Sequence, residues 1–217
     1  MNKSNFWLIR HGETDWNAEK RLQGWRDVAL NSKGVQQSYN LAQYLSSSQF
    51  SPRMDIIFSS DLSRAYQTAE IATRHWEIPI IQSPRLRERN YGIYEGEQLT
   101  ITKGKRAGLA NFDLRDPNAE LKDGENLKVF YTRIKNAFED IATEYQSKNI
   151  MVFAHGGVID IVWRVSQQLG LDAFRADAII NTSINEFSID AHKTWSMTNW
   201  GQIHHIGESA MGQSVLP

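Results

Sequence analysis

The sequence predicts an α/β fold in which helices flank a mostly parallel central sheet. Two observations carry this prediction. Short apolar runs alternate with longer amphipathic segments along most of the 217 residues, an order typical of repeated βα units. The first four runs are apolar throughout, as expected of parallel strands that are covered on both faces. The length suits one domain, and we expect a single domain over residues 1–217.

Six strands are expected in order along the chain. The four apolar runs are Phe6–Ile9, Ile56–Phe58, Ile78–Ile81 and Ile150–Ala154. The last two strands are expected at Ile184–Ile189 and Thr194–Thr198. These two alternate apolar and polar residues more clearly, which is typical of half-buried strands.

Amphipathic helices are expected between the strands, at Gly34–Ser47, Leu62–Trp76, Asn126–Tyr145 and Gly157–Leu169. The third is the clearest, because its apolar residues recur three or four positions apart. Asp61 precedes the second helix, and its side chain is expected to cap that helix. The stretch at about 92–124 breaks the rhythm with glycines and charges, and we expect it to form an insertion or lid.

The composition excludes several classes of function. The chain has no cysteine, which removes disulfides, thiolate metal sites and a cysteine nucleophile. Its 24 Lys and Arg residues nearly balance 25 Asp and Glu residues, so no global basic surface for nucleic acid or an anionic membrane is expected. The apolar start is too short for a signal-peptide core, and charges interrupt the apolar stretch 150–165. We therefore expect a cytoplasmic protein without a membrane span.

Histidines directly follow two of the predicted strands, and a glycine follows each histidine. The first run leads into Arg10-His11, and the fourth leads into His155. Ligands of open α/β sheets bind at the carboxyl ends of the strands. We therefore expect both imidazoles at the functional edge of the sheet, where glycines let backbone N–H groups approach a ligand.

Two further strand ends bring an arginine and a glutamate. Arg64 falls in the first turn of the helix after the second strand, where an anion is favoured, and Glu88 follows the third strand. Each residue alone has an ordinary structural explanation, but their coincidence at four strand ends favours a site. Histidines, arginines and a glutamate suit phosphoryl transfer, which needs a nucleophile, positive charge and an acid.

These residues lie in motifs that resemble the signature of the histidine phosphatase superfamily, the phosphoglycerate mutase-like proteins. The matching segments occur in family order and are Leu8–Thr14 with Asn17 and Gln23-Gly24, Ser59–Ala69, Leu86–Glu88 with Gly92 and Glu95-Gly96, and Ala154–Gly157. The resemblance covers residues 6 to about 205. It implies a three-layer sandwich of the phosphoglycerate mutase-like type.

The resemblance also implies a role for each matched residue. His11 would be the nucleophile that becomes phosphorylated, and Glu88 would be the proton donor and later the base that activates water. The residues implied to contact the phosphate or substrate are Arg10, Arg64, His155, Asn17, Gln23, Gly24 and Gly156. His11 must be neutral to attack, so adjacent arginines should lower its pKa, whereas bound phosphate should raise the pKa of His155.

This mechanism requires no metal and no cofactor. The remaining histidines, His75, His192, His204 and His205, show no metal-ligand spacing. The pair His204-His205 would point to opposite faces of a strand, so we expect a structural role for it near the C-terminal edge. The expected partner is a small phosphate ester.

The resemblance leaves a phosphatase and a mutase open. Mutases of the family carry a paired arginine and a proline-rich run after the third motif, and the stretch 92–124 has neither. Arg87–Gly92, however, resembles the mutase version of the motif. We favour a phosphatase; the alternative is a phosphoglycerate mutase that uses 2,3-bisphosphoglycerate. A non-catalytic phosphate-binding module is a further alternative, although His11, Arg64, Glu88 and His155 are all present.

Overall fold

The computed structural model describes residues 3–99, 113–114, 116–173, 175 and 178–206. The strands are β1 (Lys3–Arg10), β2 (Ile56–Ser59), β3 (Ile80–Gln82), β4 (Asn149–Ala154), β5 (Ile184–Asp190) and β6 (Trp195–Gln202). The helices are α1 (Asp15–Ala18), α2 (Ser32–Leu45), α3 (Ser63–Ala72), α4 (Leu127–Glu144) and α5 (Gly156–Ser166). Pro84–Leu86 and Gly92–Tyr94 form short 3₁₀ helices.

The six strands form one sheet in the order β3-β2-β4-β1-β5-β6. The first four strands in this order are parallel, and β5 and β6 add to the sheet in antiparallel pairing. The predicted α/β class with a mostly parallel sheet is confirmed. The register pairs Arg10 with Ala154 at the ends of β1 and β4, which brings the residues that follow these strands side by side.

Helices cover both faces of the sheet and form a three-layer arrangement. Phe6 and Leu8 of β1 pack on the same side as α4 and α5. Trp7 and Ile9 point to the other side, where α2 and α3 lie. This alternation follows from the period of two in a strand. It explains why the central strands are apolar at every position.

The helix boundaries follow local capping, with one correction. Asn126 accepts a hydrogen bond from the Val129 N–H at 2.8 Å and begins α4 as predicted. Helix α3 is shorter than the predicted 62–76, and its N-cap residue is Leu62, which offers no side-chain hydrogen bond. The expectation that Asp61 caps this helix is wrong, because its carboxylate instead binds the Arg87 guanidinium.

The described part of the irregular stretch lies against the chain that follows α1. Arg21 and Gln98 form an isolated antiparallel bridge, and Leu22, Leu99, Leu114 and Leu121 form a small separate apolar cluster. Residues 100–112 and 115 of the predicted insertion lie outside the described residues. Within the part of the chain that is described, no helix is both long and apolar enough to cross a membrane.

Candidate active site

The two histidines predicted from the strand ends lie next to each other. The His11 N–H donates to the carbonyl of Ala154 at 2.9 Å, and the two imidazole ring centroids are 5.2 Å apart. His11 is 3% exposed and His155 is fully buried. The neighbouring parallel strands β1 and β4 therefore place two buried imidazoles at their carboxyl ends.

His11 is held in the form that a nucleophile needs. Its Nδ1 lies 2.7 Å from the carbonyl oxygen of Gly12. Because a carbonyl only accepts, Nδ1 carries the proton and Nε2 keeps its lone pair. Burial, and then the charges of Arg64 and Arg10, hold the pKa of His11 well below its ordinary value. The expected lowering by arginines is thus present, although burial contributes more.

Arg10 presents an unsatisfied nitrogen in the same buried region. Its Nη1 donates to the carbonyl of Ile179, while its buried Nε has no hydrogen-bond partner. Burial lowers the pKa of Arg10 to about 10, Glu88 raises it, and the nearby Arg64 and Arg175 lower it further. A buried cation with an unsatisfied donor is suited to bind an anion.

Arg64 repeats this arrangement from the first turn of α3. Its Nη2 and Nη1 donate to the carbonyls of Gly24 at 2.8 Å and Arg26 at 2.9 Å. Its Nε is buried without a partner, and burial lowers the pKa of Arg64 to about 10. Neither Arg64 nor Arg10 forms an ion pair with a carboxylate among the described residues.

The loop that anchors Arg64 requires a glycine. Gly24 has φ +55°, and a Cβ at this position would overlap the carboxylate of Glu95. Glu95 accepts hydrogen bonds from the backbone N–H groups of Trp25 at 2.8 Å and Arg26 at 3.0 Å. The buried side-chain oxygen of Gln23 has no partner. The turn that Gly24 makes possible presents its carbonyl oxygen to the Arg64 Nη2.

Glu88 is oriented by two backbone N–H groups. Its Oε1 accepts from the Arg89 N–H at 2.8 Å, and its Oε2 accepts from the Gly157 N–H at 2.9 Å. A Cβ at Gly157 would overlap the Glu88 carboxylate. Sequence reasoning expected glycines here for a ligand but missed that Gly157 serves Glu88.

His155 lies beside His11, and the two nitrogens of its imidazole ring have different surroundings. Its Nε2 is 2.8 Å from the Ser60 hydroxyl, and its buried Nδ1 has no partner. Burial, followed by the charges of Arg64, His11 and Arg10, holds the pKa of His155 well below its ordinary value. The protein groups alone therefore favour the neutral form. The expected cationic role of His155 remains a prediction that depends on a bound phosphate.

Asn17 was predicted from the sequence as a site residue, whereas Asn181 was not. The Asn17 side-chain oxygen accepts from the Thr14 N–H at 3.2 Å in a capping box that begins α1, a helix too short to predict. Asn181 donates to the backbone oxygen of His11 at 2.8 Å, and Thr68 accepts from the Gly12 N–H at 3.0 Å. Sequence reasoning missed Asn181 and Thr68, whose contacts connect distant parts of the chain.

The predicted residues surround one cavity of about 140 Å³. Those that line it are Arg10, His11, Asn17, Gln23, Gly24, Arg64, Glu88 and Gly156. His155 is the predicted residue that does not line it. Among the described residues, no group of three or more histidines and carboxylates could hold a metal ion. His205 lies near Thr182 and Tyr44, and His204 is exposed.

Known proteins resemble this chain over almost its whole length. The family model of the histidine phosphatase superfamily (branch 1) matches residues 6–203. Phosphoglycerate mutase-like protein 4 of Arabidopsis thaliana is 32% identical over 210 residues, which are 95% of this chain and 89% of the relative. A metal-independent phosphoserine phosphatase of the same plant is 30% identical over 203 residues, 92% of this chain and 82% of the relative. The solved structure of Bacillus stearothermophilus YhfR has a TM-score of 0.77 at 26% identity and covers 94% of this chain and 100% of its own.

Proposed function

The chain belongs to branch 1 of the histidine phosphatase superfamily, and we propose that it is a cytoplasmic phosphomonoester hydrolase acting on a small phosphorylated metabolite. One observation carries the proposal. A buried, neutral His11 keeps a lone pair on Nε2, and Arg10 and Arg64 line the same cavity with unsatisfied Nε donors. This combination supplies a nucleophile and two cations for one phosphate group.

In the first step, the His11 Nε2 attacks phosphorus as the bond from phosphorus to the ester oxygen breaks. The departing oxygen takes a proton from the Glu88 carboxyl, and the phosphoryl group is now bonded to His11. The Nε donors of Arg10 and Arg64 stabilise the charge on the three non-bridging oxygens. Asn17, Gln23, Gly24 and Gly156 border the cavity around the bound group.

In the second step, water attacks the phosphorus of phosphohistidine. The Glu88 carboxylate, left ionised by the first step, takes a proton from this water. The bond from Nε2 to phosphorus breaks, so that inorganic phosphate leaves and His11 returns to its neutral form. A phosphoryl dianion beside His155 would raise the pKa of that imidazole, which would make it a donor when charge develops.

The test is phosphate release from a chromogenic aryl phosphate in the presence of a chelator. We expect turnover without added metal and an acid-labile phosphoryl label on His11. His11→Ala should lower turnover by at least about 10³-fold, whereas the exposed His75→Ala should not. Wild-type activity in His11→Ala would contradict the mechanism. Binding of phosphate esters with neither turnover nor label would instead identify a non-catalytic module.

A phosphoglycerate mutase is the second candidate, favoured by one specific observation. The Arg87–Gly92 segment resembles the mutase motif, and the structure buries its Arg89 in the cavity wall. The test is isomerisation of 3-phosphoglycerate with and without 2,3-bisphosphoglycerate, the cofactor required only by this candidate. Conversion that depends on the cofactor and exceeds hydrolysis would replace the phosphatase proposal.

A further inference from the structure

The segment that carries the proton donor has almost no regular structure of its own. Pro84–Leu86 forms one 3₁₀ turn, and no helix or strand includes residues 87 to 91. The Glu88 carboxyl is therefore not held in place by an element of secondary structure. General acid catalysis requires the donor to lie within hydrogen-bond reach of the leaving oxygen. Contacts with other parts of the chain must supply this precision.

Arg133 of α4 supplies several of these contacts. Its Nη1 donates to the backbone oxygens of Arg85 at 2.8 Å and Arg87 at 2.9 Å, and its Nη2 donates to that of Glu88 at 3.0 Å. Its Nε and Nη2 also donate to the two carboxylate oxygens of Glu125, at 2.7 Å each. A guanidinium has five N–H bonds, and every one of them in Arg133 has an acceptor.

Glu125 extends these contacts to the other side of Glu88. Its Oε2 accepts from the backbone N–H of Asn90 at 3.0 Å, and its backbone oxygen accepts from the Arg89 Nε at 2.8 Å. The side chains of Arg133 and Glu125 are 17% and 13% exposed, so solvent screens their ion pair only in part. The pair therefore binds the chain both before and after the proton donor.

The position of this segment decides what the Glu88 carboxylate can reach. Its two oxygens accept from the N–H groups of Arg89 at 2.8 Å and Gly157 at 2.9 Å, and the second of these bonds requires a fixed distance from α5. The charge of Arg133 also contributes to the lowered pKa of His155. A substitution at this position must therefore keep the charge if it is to test geometry alone.

We propose that Arg133, together with Glu125, positions the Glu88 carboxyl against the leaving oxygen of the substrate. This proposal rests on the proposed function, in which Glu88 protonates that oxygen. Neither Arg133 nor Glu125 is among the described residues that line the cavity, so each acts through Glu88 and not by contact with the substrate. A misplacement of about 1 Å can lower a rate by about 10²-fold.

The experiment compares nitrophenyl phosphate with nitrobenzyl phosphate, which differ by one methylene group beside the ester oxygen. Nitrophenolate leaves without a proton, whereas the benzylic alkoxide needs one from Glu88. The value of kcat/KM reports the steps up to phosphorylation of His11, and the role of Glu88 as a base follows later. Displacement of the Glu88 carboxyl should therefore lower kcat/KM for the benzyl ester alone.

Two variants move the proton donor in different ways. Arg133→Lys keeps the charge, but an ammonium has three N–H bonds and cannot bind five acceptors. We expect its kcat/KM to fall by at least about tenfold for nitrobenzyl phosphate and by less than about threefold for nitrophenyl phosphate. Glu125→Gln should change this ratio in the same direction, because its amide offers one acceptor oxygen in place of two. It provides the test if Arg133→Lys does not fold.

Asp140→Asn is the matched control. Arg85 and Asp140 form an ion pair at 2.7 Å that joins the same segment to the same helix, but both side chains are exposed. Because exposed ion pairs contribute little to stability, we expect both kcat/KM values of this variant to stay within about twofold of the wild type.

A second readout needs no turnover. The Gly157 amide proton takes part in the hydrogen bond to the Glu88 carboxylate, so its nuclear magnetic resonance frequency reports the place of that carboxylate. We expect this resonance to move in Arg133→Lys and to stay in Asp140→Asn.

The outcomes separate this proposal from the proposed function. Equal losses of kcat/KM for the two esters in Arg133→Lys and Glu125→Gln would overturn the positioning role, since a merely structural contact would affect both substrates alike. Wild-type values in both variants would overturn it too, while hydrolysis by the wild type would leave the proposed function intact. If the wild type gave neither turnover nor labelled His11, the proposed function would fail. The Gly157 resonance would still test the position of the carboxylate, and an unmoved resonance would count against Arg133.

Discussion

At the scale of single residues, the site depends on the buried nitrogen atoms that have no hydrogen-bond partner within the protein. Arg10, Arg64 and His155 each carry a buried nitrogen without a protein partner. Unsatisfied buried polar atoms are costly, and those of Arg10 and Arg64 belong to side chains that line one cavity. An anion that accepts hydrogen bonds from them relieves this cost, so the same feature that lowers stability creates affinity.

Glu88→Gln tests the proposed acid and base. Glutamine cannot donate a proton to the leaving oxygen, so hydrolysis of an alkyl phosphate should fall by about 10²- to 10⁴-fold. Nitrophenyl phosphate, an aryl phosphate whose leaving group needs no proton, should still phosphorylate His11. It should give a burst of nitrophenol before slow turnover. Rapid-quench kinetics with both substrates measure this difference. Equal loss in the phosphorylation step for both substrates would count against the acid role.

Arg64→Lys tests whether charge alone binds the phosphate. Arg64 binds the carbonyls of Gly24 and Arg26 while its Nε remains available, and one ammonium cannot reproduce this fork. We expect kcat/KM to fall by about 10²- to 10³-fold, as for loss of a preorganised donor to a transition-state oxyanion. Steady-state kinetics of Arg64→Lys would be compared with those of Arg74→Lys, an exposed arginine beyond the end of α3. If kcat/KM of Arg64→Lys fell by less than twofold, positive charge alone would be sufficient to bind the phosphate.

The two histidines were visible in the sequence because each lies just after an apolar run, whereas Asn17, Gln23 and Gly24 were found only through the resemblance to the family. His11 and His155 need only the correct placement of β1 and β4 to be brought together. The roles of Asp61 and Asn181 were not visible, because each depends on a partner far away in the chain. Asp61 follows the pattern of a helix cap, but Arg87 offers its carboxylate two hydrogen bonds.

At the scale of elements, the strand ends and helix starts position the catalytic groups. Arg133 of α4 donates to the backbone oxygens of Arg85, Arg87 and Glu88 at 2.8 to 3.0 Å. Its guanidinium also forms two hydrogen bonds with Glu125. The segment carrying Glu88 is thus fastened to a helix, although it has little regular structure of its own. This dependence on tertiary contacts explains why sequence patterns located Glu88 only as a residue after a strand.

The start of α5 offers a glycine variant that tests the position of the proton donor. In Gly157→Ala the new Cβ would overlap the Glu88 carboxylate. Because the end of a side chain can move aside, we expect Gly157→Ala to change the free energy of unfolding by less than about 1 kcal/mol. Its hydrolysis of alkyl phosphates should fall by at least about tenfold.

The control for this prediction is phosphorylation of His11 by an aryl phosphate in the same variant, which should lose much less because its leaving group needs no proton. Urea unfolding and kinetics on both esters would be measured for Gly157→Ala and the wild type. If both esters lost reactivity equally in the phosphorylation step, displacement of the Glu88 carboxyl would not be the cause.

At the scale of the whole molecule, periodicity predicted the class of fold but not the arrangement of all strands. Four apolar runs predicted the parallel part of the sheet, because strands buried on both faces lack alternation. The expectation that all four are covered on both faces is wrong for β3, which lies at the edge of the sheet and exposes Ile81. The position of β5 beside β1 depends on contacts between chain segments nearly 180 residues apart. Strand β6 extends beyond its predicted end to Gln202. Of the added residues Trp200 packs against the core, and backbone pairing with β5 stabilises the others without an apolar pattern.

His11 and His155 bury their imidazoles and His205 half-buries its own, which has a consequence for the stability of the whole chain. Burial holds the pKa of His11 and His155 well below the ordinary value and lowers that of His205 to about 4. The unfolded chain therefore binds more protons than the folded chain as the pH falls below about 6.5. Stability is thus fully present above this value and decreases as the solution becomes more acidic.

Between pH 7 and pH 5 His205 should contribute a loss of about 2 kcal/mol to the free energy of unfolding, because its pKa of about 4 in the folded chain lies below this range. His205 is the one to test, because it binds Thr182 and lies outside the catalytic cavity. We expect His205→Gln, which does not titrate, to lose about 2 kcal/mol less than the wild type over this range. Urea unfolding at both pH values gives the two differences, with the exposed His204→Gln as the control. Equal losses in His205→Gln and the wild type would mean that His205 takes up its proton in the folded state, contrary to the burial seen in the structure.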